Sequence, residues 1–342
     1  MNFEFSAEQE ELRANVRRFL AERGVAAPLA ELGLAGLLVP EALGGAGLGM
    51  LEMGVVLEEC GRALHGGPFV GSALGATRLL LAAATPAEQR ELLPALVAGE
   101  RRAAVLGLAP GVSMREAGAR LSGVEPFALE AGGADWLLVA VGGALFLTDA
   151  HAPGVRIEPA ESLDPTRRLF RVTLDAAPAR RLGGADASAA IDSARDALTV
   201  GLVADGVGAA ARALERALDY ARQREQFGRP IGSFQAVQHL LVDMLQDVEL
   251  VRAAAYYALW VQDAAPPAER ARATALAKAF GSEALPRVGA TAIQVFGGIG
   301  FTAELDIHLY YRRLVSLSLL YGAAGHQLER IAEIAFAKDE RD

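Results

Sequence analysis

Cysteine is nearly absent: Cys60 is the only one in 342 residues, so no disulfide can form within the chain. It lies in an apolar helical pattern and reads as a buried, inert thiol. The five histidines, His65, His151, His239, His308 and His326, are scattered and show no metal-ligand spacing with Cys60, which sets zinc chemistry aside. No run approaches the about 18 uncharged apolar residues that a membrane span requires, so a soluble chain without a membrane partner is expected. Basic residues are the minority, 33 Lys and Arg against 42 Asp and Glu. A formal charge of -9 with no basic stripe repels phosphate backbones and argues against nucleic acid as a partner. The opening MNFEFSAEQEEL carries Glu4, Glu8, Glu10 and Glu11 and no basic region, which predicts no presequence and a cytoplasmic location.

What is present is apolar and well punctuated. Hydrophobic residues make up 52% of the chain and charged ones 22%, enough for a large core in two or three domains. Ser6 with Gln9 three residues on forms a capping box, and Phe5, Leu12, Val16, Phe19 and Leu20 recur at helical spacing up to Gly24. Residues 35–49 hold five glycines and a proline and predict a loop before an apolar helix around Met50 to Leu64. A helix is predicted over Ser72 to Ala84. Thr85-Pro86-Ala87-Glu88 then opens another, with a capping threonine and proline at the first helical position, closing near Gly99.

From about residue 103 to 182 short apolar runs, such as Trp136 to Val141 and Ala144 to Leu147, alternate with Gly, Pro and Asp and predict a small β domain. From Asp186 no proline intervenes until Pro230, and the Ala, Leu, Glu and Arg content predicts a long helix. A second should run from Ser233 to about Asp263, followed by a Pro266-Pro267 break and at least three further helical segments. The order is α, β, α, with domain boundaries expected at 1–102, 103–185 and 186–342.

Two strings stand out. Arg224-Glu225-Gln226-Phe227-Gly228-Arg229-Pro230-Ile231-Gly232-Ser233-Phe234-Gln235 reads locally as a helix end followed by a helix start capped at Ser233. About 70 residues on, Gln294-Val295-Phe296-Gly297-Gly298-Ile299-Gly300-Phe301 has three glycines that would let a backbone approach a ligand closely, or simply form a turn.

This pair, behind an all-helical start and a small β domain, resembles the acyl-CoA dehydrogenase family over nearly the whole chain, most weakly in the middle. The resemblance implies an N-terminal α-helical domain, a β-barrel-like middle domain and a C-terminal four-helix bundle, with FAD and an acyl-CoA bound between them. It places Arg224 on the FAD pyrophosphate, with Gln226, Phe227 and Phe234 lining that half of the cofactor. Gln294 and the Gly297-Gly298 backbone would touch the same diphosphate. A guanidinium suits that role because it pairs bidentately with phosphate oxygens. An electron-transfer flavoprotein is the acceptor that the family implies.

The catalytic positions depart from the family pattern. Its usual base is a glutamate between Tyr and Gly, and ungapped counting from Gln294 places Tyr321 there. A phenol with an ordinary pKa of about 10 is a poor base at neutral pH, so Tyr321 reads as a packing residue. The alternative position, on the long helix, falls on Leu198. Asp196 is rotated by about 200° from it along a helix, whereas Asp205, two turns on, returns to that face as a weak candidate base or a structural acid. The loop that supplies a threonine hydroxyl to the flavin ring in the family reads Leu108-Ala109-Pro110-Gly111 here, without the threonine. The family's tryptophan-and-threonine strand has no clear counterpart. His326 reads as a solvated or capping residue at a helix start, and Glu58, Glu59 and Arg62 as a solvated face. The chain thus resembles the base-lacking subunit of heteromeric, steroid-type acyl-CoA dehydrogenases, expected in a heterotetramer with a homologous partner. A self-sufficient homotetramer with a non-standard base, or a scaffold that has lost flavin, are the alternatives.

Overall fold

The computed structural model describes residues 5–336. Helix α1 (Ala7–Arg23) starts on the expected box: Gln9 N–H donates to Ser6 Oγ at 3.2 Å and Ser6 N–H to Gln9 Oε1 at 3.0 Å. Short 3₁₀ turns follow, then α2 (Met50–Arg62). The predicted helix at Ser72 begins earlier, as a π-helical stretch over Val70–Ala76 that runs into α3 (Thr77–Ala83). The amides of Phe69, Val70 and Gly71 all donate to the half-buried Glu130 carboxylate, which anchors that start from the neighbouring β region. Helix α4 (Pro86–Val97) carries the Thr85 capping box.

Eight strands follow in two sheets. β1 (Ala103–Leu106), β4 (Trp136–Val141), β5 (Ala144–Asp149) and β8 (Arg180–Leu182) form one, in that order, with β1 parallel to β4 and the other pairs antiparallel. β2 (Met114–Glu116), β3 (Arg120–Leu129), β7 (Leu169–Pro178) and β6 (Val155–Ala160) form the second, antiparallel sheet. The two sheets keep separate edges, so the β-barrel-like expectation resolves into a pair of four-stranded sheets and no closed barrel.

Helix α5 (Ser188–Gln223) is 36 residues long and leads through the hairpin β9 (Glu225–Gln226) and β10 (Arg229–Pro230) to α6 (Gln235–Ala264). Ser233 does not cap α6: it lies in a 3₁₀ turn and its hydroxyl donates to Pro230 O at 2.7 Å. α7 (Pro267–Phe296), α8 (Ile307–Leu319) and α9 (Ala324–Phe336) complete the C-terminal region, with α5 to α8 packed as the bundle. Among the described residues α5 is the one helix long and apolar enough to cross a membrane, and 89% of its most apolar window is buried inside the protein.

The helical regions meet where α2 crosses α5. A Cβ on Gly61 would lie 1.7 Å from the Asp205 carbonyl oxygen, and one on Gly208 would lie 1.7 Å from that of Glu58. Both positions need glycine because the backbones touch. One apolar core runs from Val16 and Leu20 of α1 through α2, β1 and β4 to Leu198 and Leu202 of α5.

Glu58 and Glu59 are buried, which corrects the solvated-face reading. Glu59 takes a bidentate pair from Arg17 at 2.7 and 2.8 Å. Glu58 accepts from Tyr256 Oη at 2.6 Å and Arg252 Nε at 3.2 Å. A one-dimensional pattern could not reveal these partners, because α1 and α6 cover the face that looked exposed. Cys60 is buried as expected, and desolvation pushes its thiol well above the ordinary value.

Candidate functional site

The first string forms a projecting hairpin. Gln226 pairs with Arg229, leaving Phe227 and Gly228 as a two-residue turn with φ of 55° and 76°, the positive pair of a type I′ turn. Phe227 is 92% exposed. A bulky residue in the left-handed region costs about 1–2 kcal/mol, so an exposed phenylalanine held there stores strain that a binding role would explain. The Phe227 and Phe234 rings meet edge to face at 6.1 Å, and the Arg229 guanidinium lies 4.2 Å from the Phe234 ring centre. Arg224 is exposed and forms no ion pair among the described residues; its N–H donates to Tyr220 O at 2.8 Å. Gln226 is exposed and bonds the neighbouring Glu225 carbonyl.

The second string lies at the same end of the bundle. Tyr220, four residues before Arg224, stacks on Phe296 at 4.3 Å, and Phe296 is the last residue of α7. Gly297 then turns with φ 67°, and a Cβ added there or at Gly298 would meet nothing within 4 Å. Gln294 is exposed beside them. An unpaired guanidinium, an aromatic hairpin and open glycine backbone fit a diphosphate-bearing ligand such as the adenosine diphosphate half of FAD.

A second feature is a cleft between the sheets and the bundle. One chamber of about 280 Å³ is lined by Leu108–Pro110, Glu125–Ala128 and Leu319–Gly322. Another of about 280 Å³ shares Leu108–Pro110 and Tyr321 and continues to Arg195, Thr199, Gln327 and Arg330. Tyr321 stands where the chambers meet, half-buried, with φ 56° and its phenol pushed up by burial. Its carbonyl accepts from Gln327 Nε2 at 2.9 Å. Leu198 is fully buried in the core, and His326 is exposed near the start of α9. At the flavin-loop position, the Leu108 carbonyl accepts from Arg195 Nε at 2.9 Å, and the loop itself, Leu108-Ala109-Pro110-Gly111, carries no threonine. The fit to FAD is therefore good at its adenosine end and poor at its ring.

Asp205 is not a free carboxylate. It is 0% exposed and is shared between Arg167 and Arg313, whose Nη1 lies 3.1 and 3.3 Å from its oxygens. Arg313 also donates to Asp164, to Thr166 Oγ1 at 2.7 Å and to the His65 carbonyl at 3.1 Å. A carboxylate held by two guanidiniums inside this network anchors α5, α8 and the 164–167 loop to one another. Asp196, likewise buried, is paired with Arg270 and Arg330.

Besides Asp164, Arg167 and Arg313, two further buried ionisable groups have no counterpart in the sequence analysis. Glu125, 4% exposed, lines the first chamber and accepts from Gly107 N–H at 3.0 Å, and burial raises its carboxyl above the usual range. The signal was its register: it shares the inward face of β3 with Leu121. The other is Lys278, a full turn beyond Thr274 on the core face of α7.

Residues 6–100 match the acyl-CoA dehydrogenase N-terminal domain family and residues 171–336 the acyl-CoA dehydrogenase C-terminal domain family, leaving most of the β region unmatched. The acyl-CoA dehydrogenase FadE34 of Mycobacterium tuberculosis is 34% identical over 93% of this chain, which spans only 43% of FadE34's length. IpdE2 of Mycolicibacterium smegmatis, also an acyl-CoA dehydrogenase, is 33% identical over 90% of this chain and 86% of its own. Among solved structures, the steroid acyl-CoA dehydrogenase Tcur3481-Tcur3483 G363A variant superposes with a TM-score of 0.87 at 33% identity, covering 97% of this chain and 99% of that one. The ChsE4-ChsE5 complex from Mycobacterium tuberculosis gives 0.87 at 29% identity, covering 98% of this chain and 99% of that one. By its two domain matches and its near full-length likeness to IpdE2, the chain belongs to the acyl-CoA dehydrogenase family of FAD-dependent oxidoreductases.

Proposed function

We propose that this chain is the base-lacking subunit of a heteromeric acyl-CoA dehydrogenase, completing the FAD site of a homologous catalytic partner in the α,β-dehydrogenation of an acyl-CoA thioester. What supports the reading is that, counted along the sequence from Gln294 and Arg224, Tyr321 and Leu198 fall on both positions from which the family takes its base, while Arg224 and Gln294 are exposed and the Gly297 and Gly298 backbone is open for the cofactor's diphosphate. When bound, FAD supplies the hydride acceptor. In this proposal Arg224, Gln226, Phe227, Phe234, Gln294, Gly297 and Gly298 hold its adenosine end, and a carboxylate of the partner takes the α-proton. The likeness to a steroid acyl-CoA dehydrogenase and to the two-component ChsE4-ChsE5 complex supports a bulky acyl substrate and a heterotetramer. Electrons would leave to an electron-transfer flavoprotein, and the cytoplasm is the compartment that suits this chemistry.

A second reading, a self-sufficient homotetramer, is favoured by Glu125, a buried carboxyl in the cleft. The two separate by visible absorption and size-exclusion mass of the chain purified alone and with its nearest co-encoded homologue. Flavin at about one per pair of chains, appearing only in the mixed oligomer, is the expected result. Flavin at one per chain in the lone protein, lost together with activity in Glu125→Gln, would replace the first reading by the second. A chain that takes up no flavin in either preparation would be a scaffold.

A further inference from the structure

The wall of the cleft that carries Tyr321 is held from both sides. Lys278 Nζ donates to the Leu317 carbonyl, Ser282 Oγ to that of Ser318 at 3.2 Å, and Gln327 Nε2 to that of Tyr321 at 2.9 Å. These bonds from α7 and α9 fix a backbone in which Tyr321 sits in the left-handed region at φ 56°. Such a conformation persists only where its surroundings over-determine it.

Lys278 is the odd member of the three. It is 2% exposed, its neighbours Ala275, Ala277 and Ala279 are apolar and buried, and it forms no salt bridge among the described residues. Charged groups on the helices packed against α7 are committed elsewhere or face solvent. On α5, Asp196 pairs with Arg270 and Arg330, and Asp205 with Arg167 and Arg313. On α6, Asp263 pairs with Arg78, Asp247 with Arg287 and Glu249 with Arg252. On α8, Arg312 donates to the Leu163 carbonyl, and on α9, His326, Glu329 and Glu333 are exposed. Among the described residues the ammonium therefore has only the carbonyl end of α8 to compensate its charge. A methionine would fill the same space without that cost.

We propose that Lys278 is a positioning residue for the cleft, holding the carbonyl end of α8 that sets Tyr321 and loosening that wall when it takes up a proton. Burial alone pushes its pKa down to about 7, whereas a hydrated lysine titrates at about 10.4. Any local opening that wets the side chain restores the higher value, so protonation favours the open wall and deprotonation the closed one.

Hydrogen exchange across Leu317–Gly322, compared with the α5 core and corrected for intrinsic rates, tests it in the wild type and in Lys278→Met. The expected result is protection of Leu317–Gly322 that rises by up to about tenfold per pH unit between about pH 7 and 9 in the wild type, with little change in α5 and a flat profile in the variant. A flat wild-type profile, or the same slope in the variant, would overturn the proposal. So would an equal slope in the α5 amides, which would make Lys278 a charge felt only on global unfolding. If the variant does not fold, the wild-type comparison of the two segments decides.

Discussion

Arg313 Nη1 lies 3.1 Å from Asp205 Oδ1 across 108 residues of sequence, with both side chains fully buried. Removing one partner strands the other charge in the core, which typically costs about 3–5 kcal/mol. Arg313→Met should therefore lower the unfolding free energy by about that much in a urea titration. Asp205→Asn should also destabilise. Any activity of the assembled enzyme should survive the Asp205 change in whatever fraction stays folded, since a paired anchor takes no part in proton transfer.

Arg224→Ala removes the exposed guanidinium assigned to the cofactor diphosphate. Charge-assisted hydrogen bonds contribute about 1.5–3 kcal/mol each, so FAD affinity in the assembled protein should fall by roughly one to two orders of magnitude. Flavin occupancy followed by absorbance checks this, and unchanged occupancy would remove Arg224 from the site.

Phe227 holds a positive φ at an exposed turn. Phe227→Gly should relieve roughly 1 kcal/mol of strain and raise the melting temperature slightly while weakening flavin retention. Opposite movements of stability and binding would mark the residue as kept for function.

Gly208→Ala would drive a methyl group into the Glu58 carbonyl oxygen at 1.7 Å. The helices must separate, and a loss on the order of 3 kcal/mol is expected, measurable by thermal denaturation. Gly298→Ala, by contrast, meets open space and should leave stability within about 0.5 kcal/mol of the wild type.

Burial lowers the Lys278 pKa to about 7. The folded state then binds fewer protons than the unfolded chain between about pH 7 and 10.4, so wild-type stability rises with pH across that window, and the full penalty applies below it. Lys278→Met should be the more stable protein at pH 6, by a few kcal/mol, and the two should converge as the pH approaches 10. Paired unfolding titrations at these pH values give the comparison.

Much of this was legible locally. The Ser6 and Thr85 capping boxes, the strands at Trp136 and Ala144 and the long helix from residue 188 follow from neighbours a few positions apart. What was hidden depends on contacts distant in sequence. Glu59 looked like surface because its partner Arg17 lies 42 residues away, and Asp205 looked available because Arg167 and Arg313 are 38 and 108 residues off. Ser233 had the chemistry of a cap, yet the Pro230 carbonyl took its hydroxyl first. Glu125 and Lys278 share the register of buried neighbours on β3 and α7, a pattern that becomes informative only once the packing of those faces is known.

The core shared by α1, α2, the β1–β4 sheet and α5, with glycine contacts at the α2–α5 crossing, carries one more implication. A core shared across the family-domain boundaries predicts that helices α1 to α4 and α5 unfold together, in one transition. A bundle cut free of the N-terminal helices would expose the apolar flank of α5 to water, so a duplicated or fused relative would have to inherit both parts together.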